Sequence, residues 1–509
     1  MSPLTDTQRS FYDVVIVGGA VAGAATALLL RRRHPELRLL VIEKNLTFDW
    51  KVGESLTEFS SYFMTRELSL FTGVSQAMRV PAFQLDRSTF DEHLLQQAAS
   101  EGADVWRPAR VIDVRLADET GESENLIEVE RGGQTVEVRT PWVVDATGRA
   151  ALIARKKKML RPLQEHPTAA IWARFTGVKD LDGPEVTGRD LSDPFVRSVI
   201  ASRRLATNHF TGYGYWIWFI PLKSGHTSVG LVWDKRMVDP PGSSPEERLV
   251  RFLNENSLTR ELMERAEIEP GDARMYASLP YLVDRVAGRG WSLAGDAAGF
   301  LDPFYSPGLD QMAFSASWSV EMIRRGLLRP EPAAFQAQID DHNRRYRSYM
   351  RCLFESLYLD KYALMGDYDT MTTSMLIDTA LYYLFVAIPV YRWSATRVLV
   401  PPFYQDYAEV GNRLISFYRR RLVSIAKRKK ALGIYGNHNA GKRPRFVGFS
   451  LRSGVYVMLA HGLLRWLNAE AANAMSYLVV PKPMAARMPI PPAPLRRESD
   501  AGVLGLRFD

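Results

Sequence analysis

The 509-residue chain contains a single cysteine, Cys352. One cysteine excludes an internal disulfide framework and a cysteine-only metal site, and we therefore expect a reducing, cytoplasmic compartment. No basic and apolar leader precedes the first predicted strand, which agrees with that compartment. The eight histidines lack a ligand-like spacing, so we predict no metal site. The most apolar stretch, at 380–391, is too short to cross a bilayer and contains Pro389.

Aspartate and glutamate are absent from residues 410–469, a stretch with basic runs at 419–421, 427–430 and 442–445. The chain as a whole has a net charge of +8. A solvated basic face is the commoner outcome of such runs. The alternative is a docking surface for something acidic, either a carrier protein or an anionic membrane surface. Nucleic acid is not expected as a partner, because the rest of the chain has the pattern of an enzyme.

The N-terminal segment has the order of a nucleotide-binding βαβ unit. Residues 13–17 predict a buried parallel strand, 24–33 a helix, and 37–43 a second strand. The turn between the first strand and the helix, at 18–23, consists of glycine, alanine and valine, so a pyrophosphate can approach its backbone and the helix N-terminus. Glu43 ends the second strand, where a carboxylate accepts hydrogen bonds from an adenosine ribose. A glutamate here argues against a 2′-phosphorylated cofactor.

The remaining segments predict a mixed α/β (α+β) fold. Short strands occupy 109–145, long antiparallel strands form a separate sheet at 168–178 and 213–233, and a strand, a glycine-rich turn and a helix return at 291–303. Beyond 331 the chain is mainly helical and aromatic. We predict a Rossmann-like cofactor-binding domain at 1–160 and 270–330, an inserted antiparallel-sheet substrate domain at 161–269, and a helical substrate-capping region at 331–509.

Several motifs together resemble the flavin-dependent halogenases, within the wider fold of glutathione-reductase-like and hydroxybenzoate-hydroxylase-like flavoproteins. They extend to about residue 330 and comprise the turn at 18–23 with Glu43, the loop at 52–55, the segment at 85–91, and the turns that begin at Asp145 and Gly295. The resemblance implies that FAD is bound, with contacts from Gly18, Gly19, Ala20, Ala22, Gly23, Glu43, Lys44, Gly53, Glu54, Ser55, Arg87, Asp145, Gly148, Gly295, Asp296, Pro303, Gly308 and Leu309.

The segment 216–221, Trp-Ile-Trp-Phe-Ile-Pro, fits the WxWxIP signature that tells halogenases from monooxygenases. The resemblance implies that Trp216 and Trp218 line the passage between flavin and substrate and obstruct direct oxygen transfer. An aromatic strand packed in the core is the structural alternative. Two tryptophans in register with Ile-Pro favour the family interpretation.

The segment 302–308, Asp-Pro-Phe-Tyr-Ser-Pro-Gly, also resembles the family. The resemblance implies that this turn, with Ser306, lies at the isoalloxazine and that its backbone holds the halide, chloride or bromide. Pro307 has no N–H group, so Gly308 and its successors remain as donors. Tryptophan-specific members carry a glutamate that aligns with Tyr305. Its absence favours a phenol or a pyrrole as substrate.

The resemblance implies that a separate flavin reductase supplies FADH2, since the chain has no second dinucleotide fingerprint. Halide is then oxidised to hypohalous acid, which a lysine delivers to an electron-rich arene. The family's lysine follows the loop that 52–55 represents, but no lysine occurs between Lys51 and Lys156. Lys51 is the nearest catalytic candidate, and a surface or flavin-phosphate contact is its alternative role. Lys223 is a weaker candidate.

Three interpretations follow. The first is a halogenase that either uses a displaced lysine or leaves the transfer to free hypohalous acid. The second is a flavin hydroxylase or desaturating oxidoreductase on the same fold, and the third is a catalytically silent FAD-binding partner. Aromatic residues of the C-terminal region suit a lid over a small aromatic substrate, although each one alone is consistent with a helical core. Together with the basic stretch they suggest a substrate tethered to an acyl carrier protein. The aromatic residues are Tyr346, Tyr349, Phe354, Tyr358, Tyr362, Tyr382, Tyr383, Phe385, Tyr391 and Trp393.

Overall fold

The computed structural model describes residues 10–68, 84–121, 123–181, 183–187, 206–328, 331–388, 408–439, 454–479 and 502–505. The strands are β1 (Ser10–Phe11), β2 (Val14–Val17), β3 (Leu39–Ile42), β4 (Asp104–Trp106), β5 (Arg110–Arg115), β6 (Asn125–Arg131), β7 (Gln134–Thr140), β8 (Trp142–Asp145), β9 (Leu160–Pro162), β10 (Thr168–Thr176), β11 (Asn208–Gly212), β12 (Tyr215–Pro221), β13 (Thr227–Asp234), β14 (Glu267–Ile268), β15 (Arg274–Tyr276), β16 (Tyr281–Val283), β17 (Ala287–Gly288), β18 (Trp291–Leu293) and β19 (Gly502–Gly505).

The α-helices are α1 (Val21–Arg33), α2 (Glu58–Tyr62), α3 (Arg87–Ser100), α4 (Ala117–Thr120), α5 (Leu152–Lys156), α6 (Pro184–Thr187), α7 (Pro245–Glu255), α8 (Ser257–Met263), α9 (Gly308–Leu327), α10 (Pro332–Leu353), α11 (Tyr368–Tyr382), α12 (Ala408–Ala431) and α13 (Gly454–Val479). Short 3₁₀ turns occur at Gly148–Ala150, Gly295–Ala298 and Lys361–Ala363, and π-helical turns at Phe63–Glu67, Phe354–Tyr358 and Tyr383–Ala387.

A six-stranded sheet in the order β17-β18-β8-β2-β3-β4 forms the centre of the cofactor-binding region. Strands β2, β3, β4, β8 and β18 pair in parallel. Every residue of β2 and β3 is buried, as expected for parallel strands covered on both faces. Helix α1 connects these two strands, and all its residues from Val21 to Leu30 are buried. The predicted strand–helix–strand unit and the mixed α/β fold are confirmed.

A second, largely antiparallel sheet has the order β14-β10-β13-β12-β11-β19, with β15 also paired to β10. Alternate residues of β12 point to different cores because side chains alternate across a strand. Trp216 and Trp218 belong to the main core that also contains the parallel sheet. Ile217 and Phe219 belong to a separate core that this sheet shares with α7 and α8. The edge strand β19 lies in the C-terminal region, which was predicted to be mainly helical.

The C-terminal helices carry most of the aromatic residues singled out in the sequence. Tyr346, Tyr349 and Phe354 are among those buried in the main core, whereas Phe385 is 61% exposed. Tyr391 and Trp393 lie outside the described residues. Within the ranges given above, no helix is long and apolar enough to cross a membrane. The domain boundaries at 160, 270 and 330 stay a prediction.

Candidate functional site

The first turn of α1 forms a cradle of small residues and free backbone donors. Gly18 has φ +101°, and a Cβ there would lie 2.5 Å from the carbonyl oxygen of Ala146. A Cβ on Gly23 would lie 1.8 Å from the Gly18 oxygen. Ala20 caps the helix without a side-chain hydrogen bond, so the first N–H groups are left for a ligand. This arrangement suits the pyrophosphate of a dinucleotide.

Glu43 stabilises the same turn from the end of β3. Its Oε2 accepts the Gly19 N–H at 2.8 Å, and its Oε1 accepts the Asn45 N–H at 2.9 Å. Each oxygen keeps a second lone pair, so ribose hydroxyls can still donate to the carboxylate. Ala22 lies on the inner side of α1, and Lys44 is exposed beside Glu43.

The loop at 52–55 is held by buried charges on its two sides. Glu54 is 2% exposed and pairs with Arg174, which also pairs with Asp272. Burial raises the pKa of Glu54, and Arg174 opposes this shift. Ser55 accepts a hydrogen bond from Thr207 at 2.8 Å.

The other side of this loop contacts the start of α3. Arg87 pairs with Asp91 and donates to the carbonyls of Val52 and Gly53, each at 3.2 Å. A Cβ on Gly53 would lie 2.9 Å from the Arg87 Nη1. Arg87 therefore supports the loop directly, and its predicted contact with FAD stays a prediction.

Two further turns lie at the carboxyl ends of β8 and β18. Asp145 is buried, and its carboxylate accepts the Thr147 and Ile153 N–H groups, so it holds the turn that leads to Gly148. Gly295 donates its N–H to Ser315, and a Cβ on it would lie 2.8 Å from the Ala22 Cβ. These turns and α1 thus meet at one edge of the parallel sheet, where ligands bind in open α/β sheets.

Asp296 follows Gly295 in this edge. Among the described residues its carboxylate has no hydrogen-bond partner, while its backbone oxygen accepts the Tyr281 hydroxyl at 2.6 Å. Burial raises the pKa of Asp296, and Arg149 and Arg87 oppose the shift. A free carboxylate beside the α1 N-terminus suits hydroxyl donors such as those of a ribityl chain. With the cradle at 18–23, these residues fit FAD.

Asp302 anchors the turn at 302–308. Its Oδ2 accepts the Tyr362 hydroxyl at 2.8 Å and lies 2.9 Å from His166 Nε2, while its Oδ1 accepts the Phe304 N–H at 2.9 Å. All four groups are buried. The turn is therefore fixed from three directions before any ligand binds.

The two tryptophans of β12 flank this turn. Trp216 donates its indole N–H to the Tyr362 hydroxyl at 3.0 Å, and its ring lies 5.2 Å from that of Phe304. Trp218 donates to Ser228 at 3.2 Å. The Trp218 ring crosses β13 at Gly230, where a Cβ would lie 2.1 Å from it. Both rings are held rigidly on the side of β12 that faces the 302–308 turn.

The centre of the turn has a left-handed backbone at two residues that are not glycine. Tyr305 has φ +74° and Ser306 has φ +55°, a conformation that persists only where surrounding contacts impose it. Helix α9 starts directly after the turn, and its cap Pro307 makes no side-chain hydrogen bond. The N–H groups of Gly308 and Leu309 therefore lack an intrahelical acceptor. They are suitable donors for a halide, next to Pro303 and Ser306.

Lys51 lies away from this turn. Its Nζ is 3.7 Å from Asp91 and 4.3 Å from the Phe48 ring centroid. Burial lowers the pKa of Lys51, and Asp91 opposes the shift. Lys223 is exposed. Neither lysine has a described contact with the residues of 302–308.

The structure instead brings Lys361 to the turn. Its Nζ donates to the Tyr305 hydroxyl at 2.8 Å and to Ser374 at 2.7 Å, and it forms an ion pair with Asp378. Lys361 is 1% exposed, the only lysine among the buried polar residues of the described chain. Asp378 also accepts the Tyr418 hydroxyl. Burial lowers the pKa of Lys361, and Asp378 opposes the shift.

Lys361 was not among the predicted site residues. The next residue, Tyr362, contacts both Asp302 and Trp216, so one 3₁₀ turn links the two halogenase-like motifs. The only sequence signal for a buried Lys361 was its position between Asp360 and the apolar run at 362–365. Its partner Asp378 is 17 residues further along, which is not a helical spacing.

The basic runs of α12 are only partly exposed. Arg421 pairs with Glu470, Lys429 pairs with Asp367, and Arg428 donates to the Ser476 carbonyl. Arg420 and Lys427 are exposed. The third run, at 442–445, lies outside the described residues. The part of the chain that the structure describes contains no group of three or more His, Cys, Asp or Glu side chains that could hold a metal ion.

The sequence profile named tryptophan halogenase matches residues 61–371, more than half of the chain. The chain belongs to the tryptophan halogenase family. It is therefore a flavin-dependent halogenase, an enzyme that uses FAD and a halide. The first of the three interpretations is confirmed, and the hydroxylase and the silent partner are not favoured.

Relatives of this halogenase include the flavin-dependent halogenase chlA of Dictyostelium discoideum, which is 28% identical over 499 residues, 85% of this chain and 79% of the relative. The 1H-pyrrole-2-carbonyl-(peptidyl-carrier protein) chlorinase of Pseudomonas fluorescens is 27% identical over 352 residues, 60% of this chain and 74% of that protein. The crystal structure of the halogenase PltM in complex with phloroglucinol and FAD aligns with a TM-score of 0.66 at 15% identity, over 90% of this chain and 96% of PltM. This likeness shows the shared fold.

Proposed function

We propose that the chain halogenates a phenol or a pyrrole, with Lys361 as the lysine that delivers the halogen. One observation carries the proposal: the Lys361 ammonium contacts Tyr305, inside the turn that the family resemblance places at the flavin and the halide. In the relatives that act on tryptophan, as the resemblance implies, a glutamate takes the Tyr305 position. This chain has the phenolic hydroxyl of Tyr305 at that position, so the carboxylate that a tryptophan substrate needs is missing.

When bound, reduced FAD would supply, together with dioxygen, the oxidising power that converts halide to hypohalous acid. The chain's own residues then control where that acid can react. The N–H groups of Gly308 and Leu309 hold the halide. Trp216 and Trp218, fixed by Tyr362 and Ser228, separate the flavin from the arene. Because these groups are buried, they keep the acid from bulk water.

Lys361 acts on the oxygen of the hypohalous acid. Its three N–H groups are used by Tyr305, Ser374 and Asp378, so the acid takes the place of one hydroxyl partner. The ammonium gives a proton to the oxygen while the arene attacks the halogen, so the bond between oxygen and halogen breaks and water leaves. The arene then loses its proton to the neutral amine, which restores the ammonium. Asp378 keeps the ammonium charged and oriented. The other site residues named in the sequence analysis keep their predicted roles in this proposal, and Lys51 takes its alternative role as a surface or flavin-phosphate contact.

The test compares Lys361→Met, Lys361→Arg and Lys51→Met in a reconstituted assay with FAD, a flavin reductase, NADH, oxygen and chloride or bromide. Product mass reports halogenation of phenols and pyrroles, and a chemical trap reports released hypohalous acid. Lys361→Met is expected to lower arene halogenation by about 100-fold or more while trapped hypohalous acid persists, since a positioned acid contributes about 10²–10⁴-fold.

Lys51→Met serves as the matched control and is expected to leave both readouts near the parent values. Loss of halogenation in the Lys51 variant alone would instead return the role to the residue that the sequence favoured. Loss of trapped hypohalous acid in Lys361→Met would make Lys361 part of halide oxidation or of the fold, and would contradict the proposed delivery step.

A carrier-bound substrate and a reductase partner also belong to the proposal. Two relatives are named for pyrrole groups held on a peptidyl-carrier protein, and the exposed Arg420 and Lys427 of α12 offer positive charge to an acidic carrier. Contact with an anionic membrane surface is the less supported use of the same charge. The cytoplasmic location expected from the single cysteine is retained.

A further inference from the structure

An open cavity of about 330 Å³ lies beside α12, and its wall includes Asp360, the residue before Lys361. We call it the cationic cavity, because three of its six lining residues are cations. The residues that line it are Asp360, Arg419, Arg420, Val423, Ser424 and Lys427. Arg419, Val423 and Lys427 are four residues apart, as are Arg420 and Ser424, so the five residues from α12 form one helix face.

None of the three cations of the cationic cavity forms an ion pair within the described residues, although Asp360 stabilises the charge of Arg419. Arg420 and Lys427 are exposed, and neither makes an ion pair within the described chain. Asp360 is the one carboxylate of the lining, and it forms no ion pair with any of the three cations in that part of the chain. The lining thus has an excess of positive charge, and the Ser424 hydroxyl adds a neutral donor.

Arg419 gives the second, independent observation. It is 3% exposed, its Nη1 donates to the Leu359 carbonyl, and its buried Nε has no hydrogen-bond partner. Burial lowers the pKa of Arg419, and Asp360 opposes that shift. A buried guanidinium with an unused N–H group is costly unless an acceptor reaches it. Arg419 therefore adds a positive charge with an unused donor to the wall that also contains the Asp360 carboxylate.

We propose that the cationic cavity binds a phosphate ester. A guanidinium matches the oxygens of a phosphate in a planar fork, and two further cations and a hydroxyl can bind the remaining oxygens. The chemistry is shared by two sources, the 4′-phosphopantetheine arm of a carrier protein and the same arm in coenzyme A. The carrier protein is favoured, because exposed cations around the cavity also suit an acidic protein surface.

The cationic cavity lies next to residues of the proposed reaction. The choice of a pantetheine arm as the ligand rests on that proposed function. Asp360, in its wall, directly precedes Lys361. Tyr418 directly precedes Arg419, and its hydroxyl donates to Asp378, the ion-pair partner of Lys361. A phosphate held in the cavity would place the start of a pantetheine arm next to the segment that carries the lysine. The thioester-bound arene at the other end of the arm can then be directed towards it.

The test measures binding without flavin, halide or turnover. Isothermal titration calorimetry compares pantetheine 4′-phosphate, pantetheine, coenzyme A and inorganic phosphate against the full chain. The phosphorylated arm is expected to bind at least about tenfold more tightly than pantetheine at low salt, and Arg420→Gln/Lys427→Gln is expected to abolish the difference. Arg413→Gln, which removes a single positive charge from α12 outside the cavity, is the control and is expected to bind as the parent chain does. A holo-carrier protein and its apo form then separate the carrier from coenzyme A as the source.

Equal binding of pantetheine 4′-phosphate to the parent and the double variant would overturn the site. Binding to anionic lipid vesicles that is lost in the double variant, without binding of pantetheine 4′-phosphate, would overturn it in favour of a membrane. If the phosphorylated arm binds as expected but no arene is halogenated, the proposed function fails while the site stands. If free arenes are halogenated and the arm does not bind, the site fails and the proposed function stands.

Discussion

The buried ion pair between Lys361 and Asp378 allows the contribution of Lys361 to the free energy of unfolding to be measured separately from its contribution to halogenation. The two side chains are 1% and 5% exposed. Lys361→Met removes the ammonium and leaves a buried carboxylate without its cation. Breaking such a pair from one side costs about 3–5 kcal/mol. The hydroxyls of Tyr305, Ser374 and Tyr418 still donate to Asp378, so we expect the lower end of that range.

The double variant Lys361→Met/Asp378→Asn completes the comparison. The amide is uncharged, so the penalty of the isolated carboxylate disappears, while its oxygen can still accept the tyrosine hydroxyls. We expect the double variant to recover about half or more of the lost stability, as a double-mutant cycle measures it. Urea unfolding followed by tryptophan fluorescence gives the free energies, and product mass gives the halogenation rate.

Halogenation is expected to stay absent in the double variant, because the delivering amine is still missing. Recovery of halogenation together with stability would refute the assignment and leave Lys361 with a structural role. A loss below about 1 kcal/mol in the single variant would refute the premise of a tightly coupled buried pair.

Three more outcomes follow from the described contacts. Burial raises the pKa of Asp310 to about 7, so the folded chain binds a proton that the unfolded chain releases, and stability falls between about pH 4 and pH 7; Asp310→Asn should raise the melting temperature relative to the parent at pH 8 but not at pH 4. Tyr362→Phe should destabilise the chain by about 1–3 kcal/mol in urea unfolding, because Asp302 loses a donor and Trp216 loses its acceptor; an unchanged midpoint would contradict the described network. Gly23→Ala should abolish copurified FAD, measured by flavin absorbance, because the new methyl group would meet a carbonyl oxygen at 1.8 Å; normal flavin content would show that the cradle can widen.

Local pattern was sufficient to predict the cofactor-binding unit. The β-branched run at 13–17, the small residues of the turn and the terminal Glu43 act within one βαβ unit, and the structure joins Glu43 to Gly19 directly. The strand that carries Trp216 was also visible as a local run of aromatic and β-branched residues. Such features depend on neighbours in the chain, so sequence periodicity reports them.

The lysine and the charges of α12 depend on distant partners. Lys361 meets Tyr305 across 56 residues, and Arg421 meets Glu470 across 49. No periodicity indicates which of two distant residues will approach each other. The prediction therefore placed the reacting amine at Lys51, near the loop in sequence, and treated the basic runs as one surface although several of their members are paired internally.

Strand β12 is a partition between two separately packed interiors, and this offers a route to altering the enzyme. Replacing Ile217 or Phe219 changes the volume of the interior shared with α7 and α8, and leaves the tryptophan side of the partition in place. Replacing Trp216 changes the environment of the reaction and is constrained by Tyr362. Variants at Ile217 and Phe219 can thus be used to change thermal stability, and variants at Trp216 to change substrate choice. The two sets of positions lie on opposite sides of β12 and do not overlap.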